Sequence, residues 1–458
     1  MTESYDAIVV GGGQAGPSLA VRLARAGQKT AIIERNRLGG TCVNTGCIPT
    51  KTLVASARAA HMARRASDFG VGVGEVRVDM KAVKARKDAV VEASRNGVTQ
   101  WLEGTPGLDV VHGHARFVGE RTLEVSGRRL AADKVFLNVG GRPSAPPITG
   151  LSEVHYLNSS SMMHVDYLPE HLLVVGGSYI GLEFAQMYRR FGSHVTVVEM
   201  APRLIPGEDP DVSEAIRQVL EREGITVHTG AECIAAKKNG GRISLDAHCD
   251  HSLPPIEGSH LLIAAGRRPN TDDLGLDAAG IETDAKGYIK VDDSLRTSAP
   301  GVWALGDANG RGAFTHTSYN DYELVAENIL GGGSRKLSER ILGYALFVDP
   351  PLGRVGMTEQ QLRQSGKKAL TATMPMTRVG RARERSETDG FMKVLVETDS
   401  KRILGASIFG TEGDEVIHVF LLAMNAGLPC TAIQRAMGIH PTVAELLPTL
   451  LDQLQPLT

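Results

Sequence analysis

The 458-residue chain predicts an α/β protein with two parallel-sheet nucleotide-binding units and an α+β C-terminal domain. Three observations predict this. A strand, glycine turn, helix and strand succeed one another at residues 5–34 and again at 172–199. In each copy a glutamate stands 23 positions after the first glycine, Glu34 after Gly11 and Glu199 after Gly176. Downstream of each copy a buried-type strand runs into a Gly/Pro turn, Val135 to Pro143 and Leu261 to Asn270.

The first unit runs Ile8-Val9-Val10, then Gly11-Gly12-Gly13-Gln14-Ala15-Gly16, a helix through Ala26, and a strand from Thr30 to Glu34. The second runs Leu172 to Val175, then Gly176-Gly177-Ser178-Tyr179-Ile180-Gly181, a helix to about Phe191, and a strand from His194 to Glu199. Gly11 and Gly176, the first glycines, suit the tight turn. The helix N-terminus faces the pyrophosphate, and the terminal carboxylate accepts hydrogen bonds from a ribose diol. Ser178 takes the place of the middle glycine and is small enough to let the pyrophosphate approach. These are two Rossmann-like dinucleotide-binding units.

Between them, residues 53–90 predict helix and 108–148 predict strands. Residues 331–340, opening with Gly331-Gly332-Gly333-Ser334, predict a linker. Residues 341–458 alternate strands and helices as a separate domain.

The segment from Gly39 to Lys51 carries the chemistry. Cys42 and Cys47 stand five positions apart, just after the first unit. Pro49 suits a first helical turn, which would put Cys47 at the positive end of a helix, where a thiolate is stabilised. Gly39, Gly40 and Gly46 permit the turns that bring the two sulfurs together. The pair is predicted to be a redox-active disulfide beside a nucleotide cofactor. The remaining cysteines are Cys233, Cys249 and Cys430, and an odd count without a secretion signal argues against a stapled fold.

Composition narrows the function. Hydrophobic residues make up 42% and charged residues 22%, the net charge is −2, and no apolar run has the length of a membrane span. Neither nucleic acid nor membrane is expected as a partner. Met1-Thr2-Glu3-Ser4 runs almost directly into the first strand, which leaves no room for a signal peptide, so a cytoplasmic protein is expected.

With these motifs the chain resembles, over essentially its whole length, the class I pyridine nucleotide–disulfide oxidoreductases: lipoamide dehydrogenase, glutathione reductase and mercuric reductase. The resemblance implies FAD in the first unit and NAD(P)H in the second. It implies domains at 1–150 (FAD, first part), 151–272 (NAD(P)H), 273–335 (FAD, second part) and 341–458 (dimerisation). Gly11, Gly13, Gly16, Glu34, Lys51, Ala115 (in Gly113-His114-Ala115) and Asp307 would hold FAD. Gly176, Tyr179, Gly181, Glu199 and Gly266 would hold the nicotinamide nucleotide. Cys47 would be the thiol against the flavin and Cys42 the one that attacks substrate, with Lys51 and Glu183 paired at the flavin edge. Tyr179 would shield the flavin until nicotinamide arrives. His440-Pro441-Thr442-Val443-Ala444-Glu445 matches the acid–base motif, in which His440, oriented by Glu445, serves the partner subunit of a homodimer.

Departures bear on the acceptor. Val21 stands where glutathione reductases carry a glutathione-binding arginine, and the chain ends without the vicinal cysteines of mercuric reductases. The segment Val348 to Gly356 is similar to a bacterial mercuric-reductase-like, metal-ion-reducing subgroup. The expected function is NAD(P)H-driven reduction of a small disulfide. The alternative is reduction of Hg(II) or Cu(II) by the same dithiol, and a non-catalytic redox sensor is a third reading. Glu199 would repel a 2′-phosphate and favour NADH, while Arg203 keeps NADPH open.

No resident metal is expected. His248-Cys249-Asp250-His251 has no second ligand group at a zinc-like spacing and predicts a solvated hairpin. Cys233 and Cys430 predict buried small apolar residues. Arg378, Arg381, Arg383 and Arg385 predict a solvated loop or interface.

Overall fold

The computed structural model describes residues 1–231, 233–247 and 254–457. The first unit contains β1 (Thr2–Val10), α1 (Ala15–Arg25), β2 (Thr30–Glu34), α2 (Gly40–Asn44), α3 (Cys47–Arg64) and α4 (Met80–Glu103). It continues with β3 (Leu108–His112), β4 (Ala115–Gly119), β5 (Thr122–Val125) and β6 (Arg128–Leu137). The sheet order is β3-β2-β1-β6-β5-β4. Strands β1, β2, β3 and β6 run parallel, whereas β4 and β5 form an antiparallel flap. Helix α1 starts with Pro17 in its first turn and buries Leu19, Ala20 and Leu23 against Ala7, Val9 and Ile32 of the sheet.

The helical prediction for 53–90 is divided. Helix α3 stops at Arg64, and α4 resumes at Met80 under Asp79, whose carboxylate accepts from the amides of Lys81 (2.9 Å) and Ala82 (3.2 Å). Gly70, Gly72 and Gly74 alternate with Val71 and Val73 between them, a run whose backbone entropy opposes helix.

The second unit follows β7 (Gly141–Pro143) and β8 (Leu157–Asn158). It comprises β9 (His171–Val175), α5 (Tyr179–Phe191), β10 (His194–Val198), α6 (Pro210–Arg222) and β11 (Thr226–His228), then β12 (Ala235–Asn239), β13 (Arg242–Asp246), β14 (Ile256–Gly258) and β15 (His260–Ile263). Its parallel sheet has the order β11-β10-β9-β15-β8. Strand β16 (Arg267–Pro269) pairs with β7, and Gly266 lies just before it. The chain then returns to the first unit through β17 (Val302–Ala304), parallel to β6, and α7 (Thr315–Leu330). Buried Asn138 ties the return in place: its side chain accepts from the Gly16 amide (3.0 Å) and donates to the Leu305 carbonyl (3.2 Å).

The linker expected at residues 331–340 is pinned by polar contacts. The amides of Arg335 and Ser338 donate to Asn328 and Asp293, and Arg340 pairs with buried Asp321. A glycine run signals chain flexibility but not the polar partners that tertiary folding brings to its flanks.

The C-terminal part contains β18 (Gly343–Leu346), β19 (Leu352–Gly356), α8 (Glu359–Ser365), β20 (Ala369–Pro375), α9 (Gly380–Glu384), β21 (Phe391–Glu397), β22 (Ile403–Phe409) and α10 (Gly413–Asn425). It ends with α11 (Thr431–Gln434), α12 (Leu447–Leu451) and β23 (Gln455–Pro456). The antiparallel sheet has the order β18-β19-β22-β21-β20-β23, and α10 packs Ile417 and Phe420 into its core. Leu422, Met437 and Ile439 of this part stand 71%, 94% and 76% exposed.

Candidate functional site

A cavity of about 1660 Å³ runs along the ends of the first sheet, larger than the ~300–1,000 Å³ of ordinary ligand pockets. Its far end is the first glycine turn. Gly11 has φ +107°, and a Cβ there would lie 2.2 Å from the Asn138 carbonyl oxygen. The second turn repeats this at Gly176, φ +115°, although that turn lies outside the cavity. A Cβ on Gly16 would stand 2.0 Å from the Gly11 carbonyl oxygen, and one on Gly181 1.9 Å from that of Gly176. Glu34 accepts from the amides of Gly12 and Asn36, both at 2.7 Å; Glu199 accepts from Gly177 (2.6 Å) and Ala201 (2.7 Å). The two turns are the same device built twice.

Gly13, Glu34, Ala115, Lys51 and Asp307 all line the cavity. Burial pushes the Asp307 carboxyl up, against the pull of the Arg267 guanidinium at 3.6 Å. A Cβ on Gly13 would come within 3.0 Å of Asn138 Oδ1, so any larger residue crowds that side chain. A side-chain-free turn, a ribose-side carboxylate and a cavity of this size fit a flavin dinucleotide.

The dithiol lies at the other end. Cys47 is the first residue of α3, as the position of Pro49 implied, and it is exposed to the cavity, while Cys42 on α2 is half-buried. The Cys42 thiol donates toward Cys47, and this, with the Thr315 hydroxyl at 3.1 Å and the Lys51 ammonium, pulls the Cys47 thiol down to about 6 against the opposing effect of burial. Cys42 is pushed up, first because its proton is held in that bond and next by burial. The two sulfurs are therefore pushed in opposite directions, Cys47 down and Cys42 up.

Lys51 Nζ stands 2.8 and 2.7 Å from the two carboxylate oxygens of Glu183 on α5, and 4.5 Å from the Phe347 ring centroid. The Phe347 amide donates to the same carboxylate at 3.1 Å. Tyr179, the first residue of α5, meets Phe314 and Tyr344 edge-on, and burial pushes its phenol up to about 12.

His440 and Glu445 form their pair, with Nδ1 2.9 Å from Oε2. His440 is 80% exposed and does not line its own chain's cavity, so one chain does not bring it to the dithiol. Arg381 steadies that turn by donating to the Pro441 carbonyl at 2.6 and 3.2 Å. Arg378 donates to Gln453, and Arg385 pairs with Glu412. Three of the four arginines of the basic run therefore have partners within the chain.

Cys430 is buried, as expected. Cys233 is not a buried apolar thiol: it is half-buried and disulfide-bonded. Such pairing depends on which segments fold side by side, which composition does not reveal. The His248-Cys249-Asp250-His251 cluster lies outside the described residues. Thr315, Asn138, Phe347 and Tyr344 escaped the sequence reading. Each lies more than a hundred residues from at least one group it serves, and none belongs to a local motif.

Fold and site define a class: a two-dinucleotide protein with a dithiol between its nucleotide units. The pyridine nucleotide-disulphide oxidoreductase family matches residues 5–322, and that family's dimerisation domain matches residues 343–451. The chain is 36% identical over 451 residues to the probable pyridine nucleotide-disulfide oxidoreductase RclA of Escherichia coli (strain K12), covering 97% of this chain and 98% of that protein. It is also 36% identical to a mercuric reductase of Streptomyces lividans, with 97% and 94% covered. The solved Cu(II) complex of the HOCl-induced flavoprotein disulfide reductase RclA from E. coli superposes with a TM-score of 0.90 at 35% identity, covering 99% of each chain. The chain belongs to the pyridine nucleotide–disulfide oxidoreductase family. It is an FAD-dependent enzyme that passes electrons from a pyridine nucleotide to a sulfur or metal-ion acceptor. Among the described residues no helix is long and apolar enough to cross a membrane.

Proposed function

We propose that this enzyme reduces a small disulfide through Cys42 and Cys47, with the residues of the two glycine turns holding FAD and nicotinamide nucleotide as assigned from the sequence. The observation that carries this is the asymmetric dithiol at the N-terminus of α3, one sulfur an exposed low-pKa thiol and the other protonated. FAD, when bound, supplies two-electron transfer between nicotinamide and the dithiol. The chain does the rest. Reduced Cys42 attacks the substrate disulfide, forming a mixed disulfide and releasing one thiolate. Cys47 then attacks the Cys42 sulfur, closing the protein disulfide and releasing the second thiolate. His440 Nε2, with Nδ1 held by Glu445, takes the Cys42 proton and returns it to the leaving thiolate. The Lys51 ammonium, positioned by Glu183, acts on the Cys47 sulfur and would stabilise negative charge at the edge of a bound flavin.

His440 is exposed on the part of the chain matched by the dimerisation domain, which supports a homodimer whose sites are shared. The division at 1–150, 151–272, 273–335 and 341–458 belongs to the same proposal, as does a cytoplasmic location, where nicotinamide nucleotide is supplied. NADH is the preferred donor. Glu199 leaves a carboxylate where a 2′-phosphate would sit, and Arg203 turns away to the Pro206 carbonyl at 3.3 Å. A second acceptor class, Cu(II) or Hg(II), is favoured by the likeness to a mercuric reductase and to a relative solved with Cu(II).

The test is anaerobic oxidation of NADH and NADPH by the holoenzyme against lipoamide, glutathione disulfide, cystine, Cu(II) and Hg(II). Turnover on a disulfide that vanishes in Cys42→Ser supports the main reading. Turnover on metal ions alone replaces it with the second, and full turnover in Cys42→Ser refutes both.

A further inference from the structure

Three rings stand together at the inner end of the cavity. Phe314 stacks on Tyr344 at 5.5 Å, and Tyr179 meets the two edge-on at 5.6 and 5.3 Å. Tyr344, packed edge-on against Tyr179, donates through its hydroxyl to Glu208. Glu208 closes the segment that starts at Glu199, the ribose-side carboxylate of the second unit. That segment is fastened to the glycine turn by the Ile205 amide donating to the Gly177 carbonyl at 2.9 Å.

Behind the rings lies an unfinished ion pair. Arg354, opposite Tyr344 in the β18–β19 register, is 2% exposed, and Glu208 is 1% exposed. Arg354 Nη1 is nevertheless 3.9 Å from Glu208 Oε2, too far for a hydrogen bond. Among the described residues, Arg354 Nε and Nη2 and Glu208 Oε2 have no hydrogen-bond partner. Asp209, at 3.8 Å, does not complete the pair, because Lys393 holds it at 3.3 Å. Buried donors and an acceptor left open beside each other are costly, and a shift of roughly 1 Å would join them.

We propose that Tyr344, Glu208 and Arg354 form a two-position latch on the Tyr179 ring. This rests on the reading above that nicotinamide docks beside Tyr179. In the closed position Glu208 accepts from Tyr344, and Tyr179 is held across the cavity. In the open position Tyr344 lets go, and the Glu208 carboxylate closes on Arg354 in a charge-assisted bond that offsets the one lost. Tyr179 then moves aside. The exchange links nucleotide at Glu199 to the ring through residues 199–208, and it lowers the free-energy cost of opening. All three are positioning residues that act through Tyr179.

The test compares holoenzymes by NAD+ titration in a calorimeter and by iodide quenching of flavin fluorescence. Tyr344→Phe keeps the ring stack and removes only the hydroxyl. Quenching should rise, and NAD+ should bind about fivefold tighter, the worth of one net hydrogen bond. Arg354→Met removes the partner of the open position and should move both readings the other way. In Tyr179→Ala the latch has nothing to hold, so adding Tyr344→Phe should change neither. If Arg354→Met does not fold, Tyr344→Phe and the double variant decide alone. A wild type whose flavin neither NADH nor NADPH reduces would overturn the function proposed above. With that reduction intact, unchanged readings in Tyr344→Phe, shifts of the same sign in the two variants, or a persisting effect in the double variant would overturn the latch.

Discussion

Replacing Thr315 with valine removes one of the groups that pull the Cys47 thiol down, the next after Cys42. The Thr315 hydroxyl lies 3.1 Å from the sulfur and comes from α7, far from the cysteine segment. A hydrogen bond to a charged group is worth about 1.5–3 kcal/mol, and one pKa unit corresponds to about 1.4 kcal/mol. Thr315→Val therefore raises the Cys47 pKa by about one to two units, from its starting point of about 6. The sign follows from which form the hydroxyl stabilises. The thiolate is the favoured form, so alkylation is fast above the pKa and falls as pH drops through it. The variant moves that fall upward, and Thr315→Ser restores it. The assay is the pH dependence of iodoacetamide alkylation in a Cys42→Ser background, mapped to Cys47 by mass spectrometry. Serine keeps a donor in place of the Cys42 thiol, so only one sulfur of the pair titrates. A midpoint that stays put or moves down would refute the reasoning and leave the donor at position 42, the helix terminus and Lys51 to hold the thiolate.

Lys51→Met leaves the Glu183 carboxylate, 5% exposed, with the Phe347 amide as its remaining partner. Chemical denaturation should show a loss of about 2–3 kcal/mol, less than a fully buried pair because Lys51 is a third exposed, and Glu183→Gln in the same chain should recover part of it. Gly181→Ala pushes a methyl against the Gly176 carbonyl; the purified protein should keep its flavin but lose nucleotide affinity, and retained NAD+ binding would contradict the role of the second turn. His440→Gln alters an exposed residue, so the melting temperature should hold while turnover falls about 10²–10⁴-fold. Mixing inactive His440→Gln and Cys42→Ser dimers under exchange should return about a quarter of wild-type activity, since each mixed dimer has one complete shared site; no recovery would place His440 outside the partner's site.

The local devices were legible in the sequence because each is complete within a short stretch of chain. Gly11 and Gly176 need a positive φ at a strand end, Glu34 and Glu199 return to the same turn by the fixed length of a helix and strand, and Pro49 sits in the first turn of α3, which begins at Cys47. The pairings Lys51–Glu183 and His440–Glu445 were also anticipated, both from the family resemblance. What tertiary structure decided is everything that depends on distant segments meeting. It set Thr315 against Cys47, closed the Tyr344–Glu208 contact under Tyr179, pinned residues 331–340, and bonded Cys233. The physical reason is range. Backbone preferences and hydrophobic period act over a few residues, whereas a pKa, a buried ion pair or a latch is set by whichever groups packing brings within a few ångströms.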